Sequence, residues 1–175
     1  MPEGNVSQSI RFELKGTLTA IGVPADTPYR RRVAVHEPKC GDMIEAASDF
    51  IPGSSIRGLL RHHLERVCAW QKCEPTTVAQ LFGTTTTAAR LRVSDARRLD
   101  QRAPVFGDVE PDSQFSLHIV YERGGKDDRE WLLLNEIVRA LKAGELCLGG
   151  KSHLGRGQLR LSGDSDWRAC TGAVG

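Results

Sequence analysis

The chain has 175 residues, 39% hydrophobic and 26% charged, enough for one compact domain with an apolar core and too few for two. No apolar run approaches the roughly 20 residues of a membrane helix, and the start, MPEGNVSQSI, lacks a basic stretch followed by an apolar one. A cytoplasmic protein without a membrane partner is expected. The net charge of +2 excludes a polycation, so nucleic-acid contacts require local clusters of base. Arg30 to Arg32, then Arg57, Arg61 and Arg66, then Arg90, Arg92, Arg97, Arg98 and Arg102 provide them.

Ile10, Phe12 and Leu14 alternate with Arg11, Glu13 and Lys15, which predicts a half-buried first strand reaching about Ile21. Residues 22–50 show no sustained period and are interrupted by Pro24, Pro28 and Pro38, so they read as an insertion loop. Ile56, Leu59, Leu60, His63, Leu64 and Val67 then predict a helix from about Ser55 to Val67, with Ser54 or Ser55 as its N-cap. His63 falls on its apolar face. Alternation at Ala89, Leu91 and Val93 and at Phe115, Leu117, Ile119 and Tyr121 predicts two more strands. A second helix carries Leu133, Leu134, Ile137, Val138 and Leu141, opens at Asp127 and Asp128 and closes at Gly144. The last strand is Leu159 to Leu161, with a short arm at Leu146 to Leu148 before it and a tail over 164–175.

The order β-α-β-β-α-β predicts an α+β fold of ferredoxin-like type, spanning 1–175 with a core of about 8–163. The signature strand motif of the RRM domains, which stack bases on sheet aromatics, is missing, so any RNA would be met by loops and helix ends. Two segments fit that role. Gly149 to Gly157 holds four glycines among Lys151, Ser152, His153 and Arg156, so the backbone at Gly150 and its neighbours can converge on a phosphate while the cations supply charge. Pro52-Gly53-Ser54-Ser55 leads into a helix start, where N–H groups and the helix dipole attract anions, with Arg57 and Arg61 one turn apart beyond it. A solvated hairpin and a plain capped helix are the alternatives for the two segments taken singly.

Three blocks in order, Ile51 to Arg61, Leu81-Phe82-Gly83 with Ala89 to Ala96, and Gly149-Gly150 through Gly157, resemble the RAMP superfamily, closest to the backbone subunits of type III CRISPR effector complexes in antiviral defence. The resemblance implies a modified ferredoxin-like, RRM-like core that binds guide RNA (crRNA) along its backbone through Ser54, Ser55, Arg57, Arg61, Gly150, Lys151, Ser152, His153 and Arg156. Other effector subunits, copies of itself in a filament and a target RNA paired to the guide are the implied partners. Such subunits cleave target RNA with an aspartate in the loop after strand one. Asp26-Thr27-Pro28 has the local pattern, and Asp42 and Asp49 are alternatives. The thumb hairpin of these subunits is shortened here, since only Ala96 to Gln114 is available for it. An alternative within the superfamily is a metal-independent endoribonuclease that processes precursor crRNA, for which His153 or His36 would serve.

His36, Cys40, Cys68 and Cys73 supply three thiols and an imidazole, a sufficient set for a structural Zn2+ site, beside Pro38, Gly41 and Pro75. Some type III RAMP domains resemble this as well. Cys147 and Cys170 read as structural thiols.

Overall fold

The computed structural model describes residues 10–21, 50–71, 74–100, 112–123, 128–148 and 158–170. β1 (Ile10–Ile21) lies at the centre of the sheet because its inward positions Leu14, Leu18 and Ala20 are apolar while Arg11, Glu13 and Lys15 point outward. It pairs antiparallel with β5 (Gln114–Arg123), Leu14 opposite Ile119 and Leu18 opposite Phe115. β3 (Leu91–Val93) flanks β5 with Leu91 opposite Tyr121. On the other side β7 (Gln158–Leu161) pairs with Leu18 to Ile21, and β6 (Leu146–Cys147) extends β7. The order β3-β5-β1-β7-β6, antiparallel throughout, is the strand order of the ferredoxin-like arrangement. β2 (Phe50–Ile51) and β4 (Ala96–Arg97) form a separate two-stranded ladder.

The helices share one core with the inner sheet face. α1 (Gly53–Gln71) buries Ile56, Leu60, Leu64 and Cys68, and α3 (Asp128–Ala143) buries Leu133, Leu134, Ile137, Val138 and Leu141. Asp128 and Glu130 sit in the first turn of α3, and Gly144 ends it at φ +69°. His63 is a buried core histidine whose Nε2 lies 3.0 Å from Oε1 of Glu136. Glu130 is fully buried, accepting from Nη1 of Arg90 at 2.6 Å and from the Tyr121 hydroxyl, and burial, then that bond, pushes the Tyr121 phenol far up.

Three expectations need correction. Neither Ser54 nor Ser55 caps α1, which begins at Gly53 and runs on to Gln71. Between the first helix and β3 lies an unforeseen short helix, α2 (Pro75–Phe82), burying Val78, Leu81 and Phe82, and it delays β3 to Leu91. The segment read as tail holds β8 (Trp167–Ala169), paired with Phe12 to Leu14. β7 reaches only the second half of β1, so β8 covers an edge that would otherwise be bare. The buried Trp167 locks it by donating its indole N–H to the Leu134 carbonyl at 3.0 Å.

The outer sheet face carries no Phe, Tyr or Trp among the described residues. It is laced by charge instead. Glu122 bridges Arg11, at 3.0 Å, and Arg92, and its hydrogen bond from Arg11 holds its carboxyl below the usual range.

Candidate nucleic-acid interface

At the start of α1 the chain is squeezed against the connection from β3 to β4. A Cβ on Gly53 would lie inside van der Waals contact with the Val93 carbonyl oxygen and 2.9 Å from the carbonyl carbon of Ser94, so glycine is demanded by space. Its φ is not in the left-handed region. The Gly53 N–H donates to Oδ1 of Asp95 at 2.7 Å, while the N–H groups of Ser55 and Ile56 donate to the Pro52 carbonyl at 3.0 and 3.2 Å. The positive end of the helix therefore already holds one carboxylate. Ser54 and Ser55 remain exposed on its rim.

One turn on, Arg57 donates Nη2 to the carbonyl of Phe82, the last residue of α2, and its guanidinium stands 6.0 Å from the Phe82 ring centroid. A cation at a helix C-terminus meets the unpaired carbonyls there. Gly83 follows at φ +78°, and a Cβ would stand 2.8 Å from the Ala89 nitrogen and 2.9 Å from the Thr87 oxygen. Thr84 then organises a tight turn. Its N–H donates to the Thr87 carbonyl at 2.9 Å, and its Oγ1 accepts from the N–H groups of Thr86 and Thr87 at 3.2 and 3.1 Å. Arg61, next along α1, pairs with Glu65 at 2.9 Å, an exposed contact that a phosphate oxygen can replace at little cost.

Where α1 meets this turn runs an open groove of about 670 Å³, lined by Arg57 and Arg61 of α1 and by Thr84, Thr85 and Thr87 of the turn, with Phe82 and Gly83 beside them. Among the described residues no carboxylate lines it. A groove beside β1 carries Glu13, Asp164 and Asp166, and one among the three helices carries Glu74 and Glu136. Of these, the groove at Arg57 and Arg61 is the one suited to an anionic chain.

The structure thus brings Ser54, Ser55, Arg57 and Arg61 to one end of α1. Gly150, Lys151, Ser152, His153 and Arg156 lie outside the described residues, as do Asp26, Asp42, Asp49, His36, Cys40 and Cys73. Cys68 is buried near the end of α1 and lines the groove among the helices. The described residues alone hold no group of three or more metal-ligating side chains, and no described helix is long and apolar enough to cross a membrane. Sequence reading missed Asp95 and the threonine turn. Four successive threonines after a glycine were the available signal for the turn.

The family model of the RAMP superfamily matches residues 46–160. Solved structures with the same fold include one of a Csm3–Csm4 subcomplex in the type III-A CRISPR-Cas interference complex, 19% identical, at a TM-score of 0.50 over 92% of this chain and 75% of that one. The type III-B Cmr-beta complex bound to cognate target RNA matches at 15% identity and TM-score 0.55, over 91% of this chain and 61% of that one. Methanopyrus kandleri Csm3 matches at 12% identity and TM-score 0.55, over 87% of this chain and 75% of the other. Comparison with curated proteins gave no match. The family model takes in α1 with its glycine start, the Leu-Phe-Gly end of α2 and the Asp95 cap, the parts that the hydrogen bonds above tie together: the chain belongs to the RAMP superfamily.

Proposed function

We propose that the protein binds the sugar-phosphate backbone of a guide RNA as a subunit of a type III CRISPR effector complex. The observation that carries this reading is the groove beside Arg57 and Arg61, which no carboxylate lines among the described residues, with the exposed Ser54 and Ser55 at the same end of α1. Phosphate and ribose contacts position a strand without reading it, and a guide must be held whatever its sequence. The outer sheet face, charged and among the described residues without aromatics to stack bases, fits a backbone grip. Gly150, Lys151, Ser152, His153 and Arg156 form the second grip on the same strand, through glycine backbone and cations. The neighbouring subunits are other effector proteins, copies of this chain among them. In that setting a target RNA paired to the guide is cut next to a loop aspartate, Asp26 by its Asp-x-Pro setting, with Asp42 and Asp49 as alternatives; its carboxylate takes the proton of the 2′-hydroxyl, whose oxygen bonds the adjacent phosphorus as the P–O5′ bond breaks, leaving a 2′,3′-cyclic phosphate and a 5′-hydroxyl protonated from water.

A structural Zn2+ held by His36, Cys40, Cys68 and Cys73 belongs to the same proposal. The buried position of Cys68 suits a ligand that fastens the insertion loop to the end of α1, and the metal would supply cross-linking with no part in the reaction.

The test is purification from a host that expresses guide transcripts, with extraction of bound nucleic acid. RNA of uniform length co-purifying with the wild type and lost from an Arg61→Ala variant supports the reading. Wild-type protein free of RNA contradicts it. Unchanged target cleavage in Asp26→Ala removes the aspartate assignment, and undiminished zinc in Cys68→Ser removes the metal site.

A further inference from the structure

Arginine explains why the groove would attract a nucleic acid, but not why it would prefer RNA. Guanidinium groups donate hydrogen bonds and accept none, and phosphates are common to RNA and DNA. A protein that grips a backbone distinguishes the two through the 2′-hydroxyl, itself donor and acceptor. The same groove that Arg57 and Arg61 line is also lined by Thr85 and Thr87, whose hydroxyls both donate and accept. Their placement is fixed in advance. Thr84 closes the turn with three bonds of its own, Gly83 allows the chain to leave α2 at φ +78°, and the Arg90 N–H ties the far end back to the Leu81 carbonyl at 3.0 Å. Among the described residues neither the Thr85 nor the Thr87 hydroxyl is engaged in a hydrogen bond, although Thr84 in the same turn is. At about 670 Å³ the groove has room for a nucleotide, being within the roughly 300–1,000 Å³ of small-ligand pockets.

We propose that Thr85 and Thr87 bind ribose 2′-hydroxyls of the strand held by Arg57 and Arg61, which makes the α2–β3 turn the element that selects RNA over DNA. The proposal rests on the guide-RNA reading above. The arginines supply affinity for either backbone; the threonines supply the difference. Thr84 stays outside the proposal because its hydroxyl builds the turn.

The test compares a single-stranded RNA 12-mer with its all-deoxy counterpart by fluorescence anisotropy, using the wild type and a Thr85→Val/Thr87→Val variant whose melting temperature is checked first. Wild type should bind RNA about tenfold more tightly than DNA, the size of one or two neutral hydrogen bonds. The variant should lose that factor for RNA, stay within about twofold of wild type for DNA, and melt unchanged. Equal wild-type affinity for RNA and DNA overturns the proposal whatever the variant does. A variant that keeps the RNA preference, or loses both affinities alike, also overturns it; a groove occupied by a partner protein gives the first of these. Wild-type protein that binds neither oligonucleotide removes the guide-RNA reading itself, whereas RNA binding without the threonine effect removes this inference alone.

Discussion

Replacing Gly53 with Ala is the sharpest structural test because two expectations differ in sign. If Gly53 were only a flexible residue before a helix, alanine would stabilise the protein by about 0.4–1 kcal/mol through the unfolded chain. The structure says otherwise. The new methyl would stand 2.9 Å from the Ser94 carbonyl carbon and closer still to the Val93 oxygen, where ordinary contact starts at 3.4 Å, so backbone must part by at least half an ångström. Both neighbours are main chain, held by the antiparallel pairing of β3 with β5. Overpacking costs roughly 1–3 kcal/mol, in the upper half of that range where the blocking atoms are backbone, which leaves a net loss of about 1–2 kcal/mol after a helix-propensity gain of about 1. In a chain of this length that lowers the melting temperature by about 2–8 °C. Thermal unfolding followed by circular dichroism measures it. A Gly53→Ala protein that melts at or above the wild-type temperature would refute the close approach of α1 to the β3–β4 connection.

Asp95→Ala should cost about 0.5–2 kcal/mol by uncapping α1, and less in the Gly53→Ala background, where the helix start has already moved; urea titration of the single and double variants checks both. Removing the fully buried carboxylate with Glu130→Ala should cost about 2–3 kcal/mol, below the roughly 3–5 of a fully buried pair because Arg90 is 34% exposed and water reaches it. A loss under about 1 kcal/mol would show that the pair is marginal to stability. Glu136, whose hydrogen bond from Arg139 leads the causes that hold its carboxyl below the usual range, contributes stability that is present above the unfolded value of about 4.3 and lost as pH falls through the folded one. The wild type should therefore lose more stability between pH 5 and pH 3 than Glu136→Gln; parallel profiles would contradict that. Arg61→Ala should leave the melting temperature nearly unchanged, since its exposed pair with Glu65 is worth only about 0.3–0.5 kcal/mol. The same variant should flatten the logarithmic salt dependence of RNA binding by about 0.7 for each phosphate that Arg61 neutralises in the wild type.

The strands that follow a two-residue alternation, β1 and β5, were readable from the sequence because one face meets the core along most of their length. α1 and α3 were readable for the same reason at helical spacing. What escaped has no period to read. The ladder of β2 and β4 is two residues on each side, and α2 has eight residues behind a proline. β8 exists because β1 outruns β7, a fact of pairing that no property of Trp167 to Ala169 announces. The interface shows the same division. Arg57 and Arg61 stand out as charge on a helix, but the partner that fixes the helix start is Asp95, 42 residues away and visible only once β3 lies beside α1. Arg57 also proves to be partly structural, bound to the end of α2, which leaves Arg61 as the cleaner probe of RNA contact.

A grip on the RNA backbone that ignores sequence is the core of the proposed role. It is tested most directly by the affinity of the purified protein for two single-stranded RNAs of equal length and unrelated sequence, measured at two salt concentrations. Affinities equal within about threefold are expected for the two RNAs, both falling steeply with salt, since phosphate contacts carry the binding. A strong preference for one sequence, or affinity indifferent to salt, would contradict it.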